Sequence, residues 1–275
     1  MLDFRWHRRS KDRTPIIRDI DIIRFTEEVL SDFKPELLDK PGKLDYNHFI
    51  ERYLGATIDY QDVYYPDEGN IAGATIFNRD YIDVYDKEHR TVKSIAVEPD
   101  TIIIDNSVAN SKFFGFEAFT AMHEGGHFQM HTEVYKRASN QISLYSMGII
   151  EPETSGMLCK RSNIGKSKTP LVTSEDFREH QANTYAASML MPRRTFIPYV
   201  YEQNLKDGYG SGIHTIIPGF DKRGEESLKY LVAAASRLFG VSRSAVRVNM
   251  QKYGLLCKAE EFREAKQRLA YYTSF

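Results

Sequence analysis

"AMHEGGHFQMH", residues 121–131, places three histidines and one glutamate in eleven residues, and the rest of the chain is read outward from it. On an α-helix, His123 and His127 project from one face about one turn apart. Two imidazoles so placed can reach one ion at bond lengths of about 2.0–2.1 Å. Glu124, beside the first of them, can act as general base on a water at that ion without ligating it, which is the H-E-x-x-H arrangement. His131 is a poor third ligand, because two helical turns put it roughly 12 Å along the axis from His123. It reads instead as a residue that supports or rims the site.

The helix expected to carry this motif, "NSKFFGFEAFTAMHEGGHFQMH", opens at Asn110 or Ser111. Phe113, Phe114, Phe116 and Phe119 argue that it packs into a core. Gly125 and Gly126 sit mid-helix, each costing about 1 kcal/mol against Ala. That penalty points to close backbone packing, with the sheet as the expected neighbour.

Upstream, "DIDIIRFTEEVLSDF" spaces Ile22, Phe25, Val29 and Phe33 for an amphipathic helix. "LDYNHFIERYLG" predicts a second helix, with Asp45 as N-cap and Gly55 just past the end. The period then changes. "TIDYQDVYY", "IAGATIF", "YIDVY", "VKSIAVE" and "TIIIDNS" are short, β-branched or aromatic, and separated by turn clusters. They predict a small, largely antiparallel sheet over Thr57 to Asp105. One of its strands between Ile71 and Asp105 is expected to offer an edge to an extended substrate segment, as in β-augmentation.

Downstream, periodicity is lost from Tyr135 to Pro170, and a loop of that length is commonly functional. Lys160, Arg161, Lys166 and Lys168 make its second half basic. Because it joins the two motif-bearing helices, it is expected to border the cleft and restrict which proteins enter. Helical pattern returns at "SEDFREHQANTYAASMLMPRRTF", which Pro192 should end or kink. Here Glu175 and Glu179 share a face, His180 is adjacent, and Asn183 follows Glu179 by one turn. Glu179 is the best third ligand, since Asn183 can then hydrogen-bond a ligating imidazole. Glu175 reads as a solvent-facing carboxylate near a helix N-terminus.

The last third is helical in pattern. "SRLFGVSRSAVRVNMQKYG" has the look of a helix-turn-helix, with Gly240 in the turn, Ser242 as N-cap and Val246 inside the second helix. Arg243, Arg247, Asn249 and Gln251 would face a DNA groove. Asn249, however, falls where that motif buries an apolar side chain. The region 231–253 is therefore read as a structural helical hairpin, with DNA contact as the alternative.

The bulk numbers narrow the function classes. Of 275 residues, 41% are hydrophobic and 27% charged, as in ordinary globular proteins, and the formal net charge of −1 gives no global field for nucleic acid or anionic membrane. Cys159 and Cys257 are far apart, which excludes a disulfide scaffold or cysteine-rich zinc finger and fits a reducing compartment. No apolar run approaches a membrane span or a signal peptide, so a cytoplasmic protein with no membrane partner is expected. The basic arm with Arg5, Arg8, Arg9, Lys11 and Arg13 is expected to be a solvated tail.

Two stretches together, "HEGGHFQMH" and "EHQANTYAASMLMP", resemble the ImmA/IrrE metallopeptidases. That family pairs HExxH and a trailing His with a helix reading E-x-x-A-N, an aromatic, small residues and L-M-P. The resemblance spans roughly residues 20 to 200 and selects Glu179. Gly125 stands where the family usually has Leu, and the 52 positions from His127 to Glu179 (179 − 127) make a longer insert than the family pattern. The resemblance implies an α+β, zincin-like fold with a small largely antiparallel sheet, an HExxH helix and a helical C-terminal region. It implies a gluzincin-like zinc endopeptidase, with one Zn2+ per chain on His123, His127 and Glu179, and Glu124 as catalytic base. Its substrate would be a regulatory protein, a helix-turn-helix transcriptional repressor. Tyr185 and His214 are candidate donors to the oxyanion. The expected organisation is a peptidase core over 1–200, with the insert 135–170, and a helical region over 201–275 packed on it. The alternative is a metal-binding regulatory or DNA-binding protein without protease turnover.

Overall fold

The computed structural model describes residues 1–65, 71–110, 112, 114–136, 156–160, 170–206, 215–218 and 222–274. They form an α+β structure in which the strands lie between Thr57 and Lys160 and helices occupy both ends of the chain. Contacts divide the chain into two units. The first is Met1–Ile22, Asp45–Lys112 and Phe116–Ala186; the second is Ile23–Leu44, Phe113–Gly115 and Ala187–Phe275. Among the described residues, no helix is long and apolar enough to cross a membrane.

In the first unit, Asp45 caps the helical turn Tyr46–His48 by accepting from the His48 N–H at 3.1 Å. The turn continues as a π-helical segment, Phe49–Leu54, closed by Gly55 at φ 72°. Five strands fall where the sequence places them: β1 (Thr57–Gln61), β2 (Ile71–Ile76), β3 (Asp80–Asp86), β4 (Thr91–Val97) and β5 (Thr101–Asp105). A sixth, β6 (Gly156–Lys160), comes from the stretch expected to be a structureless insert. "GMLCK" carries no alternation and no β-branched residue, so nothing local marks it as a strand; pairing with β2 creates it.

The main sheet has the order β1-β5-β2-β6. β1 and β5 are parallel, while β2 runs antiparallel to both β5 and β6, so the sheet is mostly antiparallel. β3 and β4 form a separate antiparallel ribbon, whose Ile82, Val84 and Val97 pack with Ala74, Ile76 and Ile103 of the main sheet. Every residue of β2 and β5 is buried, as interior strands require. The edge expected between Ile71 and Asp105 is therefore not at β2: among the described residues, the edges of the main sheet are β1 and β6.

The motif helix starts later than expected. Asp105 accepts from Ser107 N and caps a one-turn helix, Asn106–Ala109, which Asn110 ends, and Ser111 lies outside the described residues. After Gly115 at φ 74°, helix α1 (Phe116–Met130) begins. All its residues from Ala118 to Met130 are buried, so it is a core helix packed on β2 and β5.

Its two glycines differ. A Cβ on Gly126 would lie 3.0–3.2 Å from the Tyr185 ring and Cβ, whereas one on Gly125 would meet Leu54 at an ordinary 3.4 Å. The close approach is thus to Tyr185, not to the sheet, and only Gly126 needs it. Gly125→Ala should stabilise by about 0.5–1 kcal/mol through helix propensity. Gly126→Ala should destabilise by about 1–2 kcal/mol, because overpacking outweighs the same propensity gain. Thermal unfolding of the two variants checks this; a stabilised Gly126→Ala would show that Tyr185 yields freely.

The basic N-terminal arm is solvated along most of its charges, as expected, but its backbone is anchored rather than trailing free. Leu2 N–H donates to the Tyr53 hydroxyl and Leu2 O accepts from Gln129 Nε2. Arg9 pairs with Glu133 at 3.0 Å, and Arg178 donates to Asp12 and Thr14. Its backbone is tied at Leu2 and at Pro15, which accepts from Gln181, and Arg9 is paired, while Arg5, Arg8, Lys11 and Arg13 stay exposed; the anchoring is what a count of basic residues does not reveal.

Helix α2 (Ser174–Leu190) carries the second motif and stops before Pro192; α3 (Arg193–Lys206) follows and contains Pro198. In the second unit, the Arg193 guanidinium makes two hydrogen bonds to Glu27, at 2.9 and 3.0 Å, and donates to Tyr272 O. Phe196 packs against Phe239 and Tyr253. Helices α4 (Lys222–Phe239) and α5 (Arg243–Lys252) form the expected hairpin, turning at Gly240 (φ 71°) and capped by Ser242, which accepts from Ala245 N. Asn249 is only 2% exposed, so it does not join Arg243 and Gln251 on an outer face.

Candidate metal centre

α1 and α2 bring His123, His127 and Glu179 together at the heart of the first unit. Each offers a donor atom within 4.8 Å of the others, and all three are buried. The two Nε2 atoms are 2.9 Å apart, and Glu179 oxygens lie 3.6 Å from His123 Nε2 and 3.4 Å from His127 Nε2. Tetrahedral bonds of about 2.0–2.1 Å imply donor separations of about 3.3–3.4 Å, so one ion fits this set with small adjustment. The set is the one read from the sequence. Glu175 is exposed and outside it, and His180 is turned to Asp19 at 2.8 Å.

The ring nitrogens facing away from the donor set have acceptors. His123 Nδ1 lies 3.2 Å from Asn183 Oδ1, so its N–H donates there and its Nε2 lone pair points into the site. His127 Nδ1 lies 2.8 Å from His131 Nδ1, and His131 Nε2 lies 2.9 Å from Gln181 Oε1. Gln181 Nε2 in turn donates to Pro15 O at 2.7 Å. With each N–H donating away from the donor set, this chain fixes both imidazoles in one tautomer. His131 thus supports His127 from behind, one helical turn on. Gln181 was missed from the sequence, although its place two residues past Glu179 on the ligand helix could have flagged it.

The charges fit a cation. Burial opposes charge on every group here. It pushes His127 down to about 4 and His131 well below its ordinary value. On His123 that effect is outweighed by Glu179, which holds the ring above its usual value. Glu179 itself is held well below the carboxylate range by His123 and His127 despite its burial.

Glu124 is fully buried, and burial pushes its carboxyl up to about 7 against the opposing effects of His123 and Thr75. Oε2 accepts from Thr75 Oγ1 at 2.7 Å, while Oε1 has no hydrogen-bond partner among the described residues. A buried carboxylate oxygen without a partner is costly. Beside a three-donor set, it is the atom a water at an ion would satisfy, so these residues fit a metal. β2 supplies the space: a Cβ on Gly73 would lie 3.0 Å from Glu124 Oε1. Neither Gly73 nor Thr75 was singled out from the sequence; the signal was a glycine inside a strand pattern.

Compared with known proteins, the chain matches no family model and no curated protein.

The remaining site expectations are not met in the same way. Tyr185 is fully buried; its ring lies against Gly126 and its hydroxyl donates to Gln129 Oε1 at 2.5 Å. Two positions past Asn183 is about 200° around α2, so Tyr185 is a packing residue rather than an oxyanion donor. His214 lies outside the described residues. A cavity of ≈ 450 Å³ lined by Leu2, Arg5, Leu54, Gln129 and Glu133 includes none of the three donors.

The relay behind His127 gives a test. His131→Ala and Gln181→Leu should each weaken metal binding by about 10–100-fold, the usual range for residues that orient ligands. Competition with a chromogenic chelator reads this directly. Unchanged affinity in both variants would reduce the relay to packing.

Proposed function

We propose that the chain is a zinc-dependent endopeptidase with a zincin-like fold, of the ImmA/IrrE type, that cleaves a regulatory protein such as a helix-turn-helix repressor. The observation that carries this is the Glu124 carboxylate: buried, with one oxygen held by Thr75 and the other open beside three metal donors. Structural zinc sites close with four protein ligands, whereas catalytic sites use three and keep a position open. Among the described residues the donor set has three members, and His131 is engaged behind His127 instead of completing it.

His123, His127 and Glu179 would hold the zinc ion, which when bound supplies Lewis-acid polarisation of the scissile carbonyl and activates water at neutral pH. Glu124 takes the proton from the attacking water on Oε1. Thr75 holds the other oxygen and so aims the carboxylate. A carboxyl pushed toward 7 by burial is suited to take that proton and then deliver it to the leaving amine. Asn183, His131 and Gln181 hold the two imidazoles in register. The repressor substrate rests on the resemblance of "HEGGHFQMH" and "EHQANTYAASMLMP" to that family.

The test is cleavage of a repressor encoded beside the gene by zinc-loaded protein, compared with Glu124→Gln. A metal-binding regulator without turnover would bind zinc equally well and cleave nothing.

A further inference from the structure

Glu124 is in direct contact with β2, through Gly73 and Thr75. An extended peptide presented to this carboxylate by main-chain hydrogen bonds would have to run along β2. One side of β2 is taken by β5, from Gly73↔Ile104 to Ile76↔Thr101. The other side, the only one an added strand could use, is taken by β6. The pairing is antiparallel, from Ile76↔Gly156 to Gly73↔Cys159 and Ile71↔Lys160, with an irregularity between Ile71 and Gly73.

β6 is an unusual occupant. It belongs to the segment between the two ligand-bearing helices, and its backbone lies opposite the very residues, Gly73 and Thr75, that adjoin Glu124. Its sequence has no strand signal of its own, so its extended form is imposed by the β2 edge, as a bound peptide's would be. A substrate pairing with β6 instead would lie one strand spacing, about 4.8 Å, further from β2.

We propose that the outer edge of β2 is the docking slot for an extended substrate segment, and that residues 156–160 fill it as an intramolecular substitute that substrate must displace. This rests on the peptidase reading for the identity of the incoming segment. Tethering gives β6 an effective concentration of order mM. A peptide must therefore compete with a high internal concentration, which keeps the resting enzyme slow.

The experiment uses zinc-loaded full-length protein carrying Glu124→Gln, so that binding is read without turnover. Residues 156–160 are replaced by Gly-Gly-Ser-Gly-Gly, and a synthetic peptide of residues 154–162 is added in trans. The replacement should bind it at least tenfold more tightly than the unreplaced protein, with amides of Ile71–Ile76 losing hydrogen-exchange protection and regaining it on peptide addition. Equal or weaker binding overturns the proposal.

Met157→Pro and Leu158→Pro provide a second route should the replacement fail to hold zinc. Backbone N–H groups of adjacent strand residues point to opposite sides, so one of the two prolines removes a donor facing β2 and the other does not. One should loosen β6 and the other should not; identical behaviour of both also counts against the slot. With Glu124 restored, the loosened forms should cleave a library of internally quenched decapeptides at least tenfold faster. If the trans peptide binds the freed edge but no library member is cleaved, the slot stands and the peptidase reading fails.

Discussion

Glu124→Gln is expected to lower peptide cleavage by about 10²–10⁴-fold while leaving metal content unchanged. The amide keeps the size and the Thr75 contact but cannot accept a proton from water. A second effect follows from burial and separates the role from mere fold damage. In metal-free protein, the Glu124 carboxyl is pushed up to about 7 from an unfolded value of 4.5. Between those values the folded state holds the extra proton, so wild-type stability falls as pH rises through that window. Gln has no such proton to lose. The variant should therefore gain on wild type as pH is raised, by up to a few kcal/mol above pH 7, and the difference should flatten below about pH 4.5. Parallel denaturation curves at pH 5 and 8, run with and without zinc, measure it. Full cleavage activity in Glu124→Gln would remove the residue from the chemistry.

His123→Ala should abolish stoichiometric zinc binding. Structural zinc in small peptides is held by about 10–16 kcal/mol over four ligands, so one ligand of a comparable set is worth about 2.5–4 kcal/mol, or roughly 10²–10³-fold in affinity. The variant should also leave Asn183 Oδ1 without its imidazole partner and leave the Glu179 carboxylate facing one histidine instead of two. Elemental analysis after gel filtration should give close to one zinc per chain for wild type and much less for the variant. Chelator should lower the melting temperature of wild type, since metal bound only to the folded state stabilises it by mass action. The same chelator should scarcely move His123→Ala. Full zinc occupancy in that variant would take His123 out of the ligand set.

Much of the centre was legible because its spacing is local. His123 and His127 share a helical face by period alone, and Asn183 follows Glu179 by the same rule. His131 backs His127 by the same one-turn step, and the two helices meet so that Asn183 reaches His123 and Gln181 reaches His131. Tyr185 misled for the complementary reason: sequence proximity to Asn183 says nothing about which face of α2 meets the site, and Gly126 claims that ring.

The residues by themselves determined the five strands from Thr57 to Asp105, the capped hairpin at Gly240 and Ser242, and the identities of the four chemical groups. Each is set by a period of two or 3.6, or by a single cap, and needs no distant partner. Tertiary structure alone decided the rest. Thr75 and Gly73 became part of the site because β2 crosses the motif helix 49 residues away, at a Thr75–Glu124 contact. Pro15 became the end of the relay through Gln181, at a sequence separation of 166. β6 became a strand because β2 had one side left to pair, and the hydrogen bonds that make it extended belong to both strands at once.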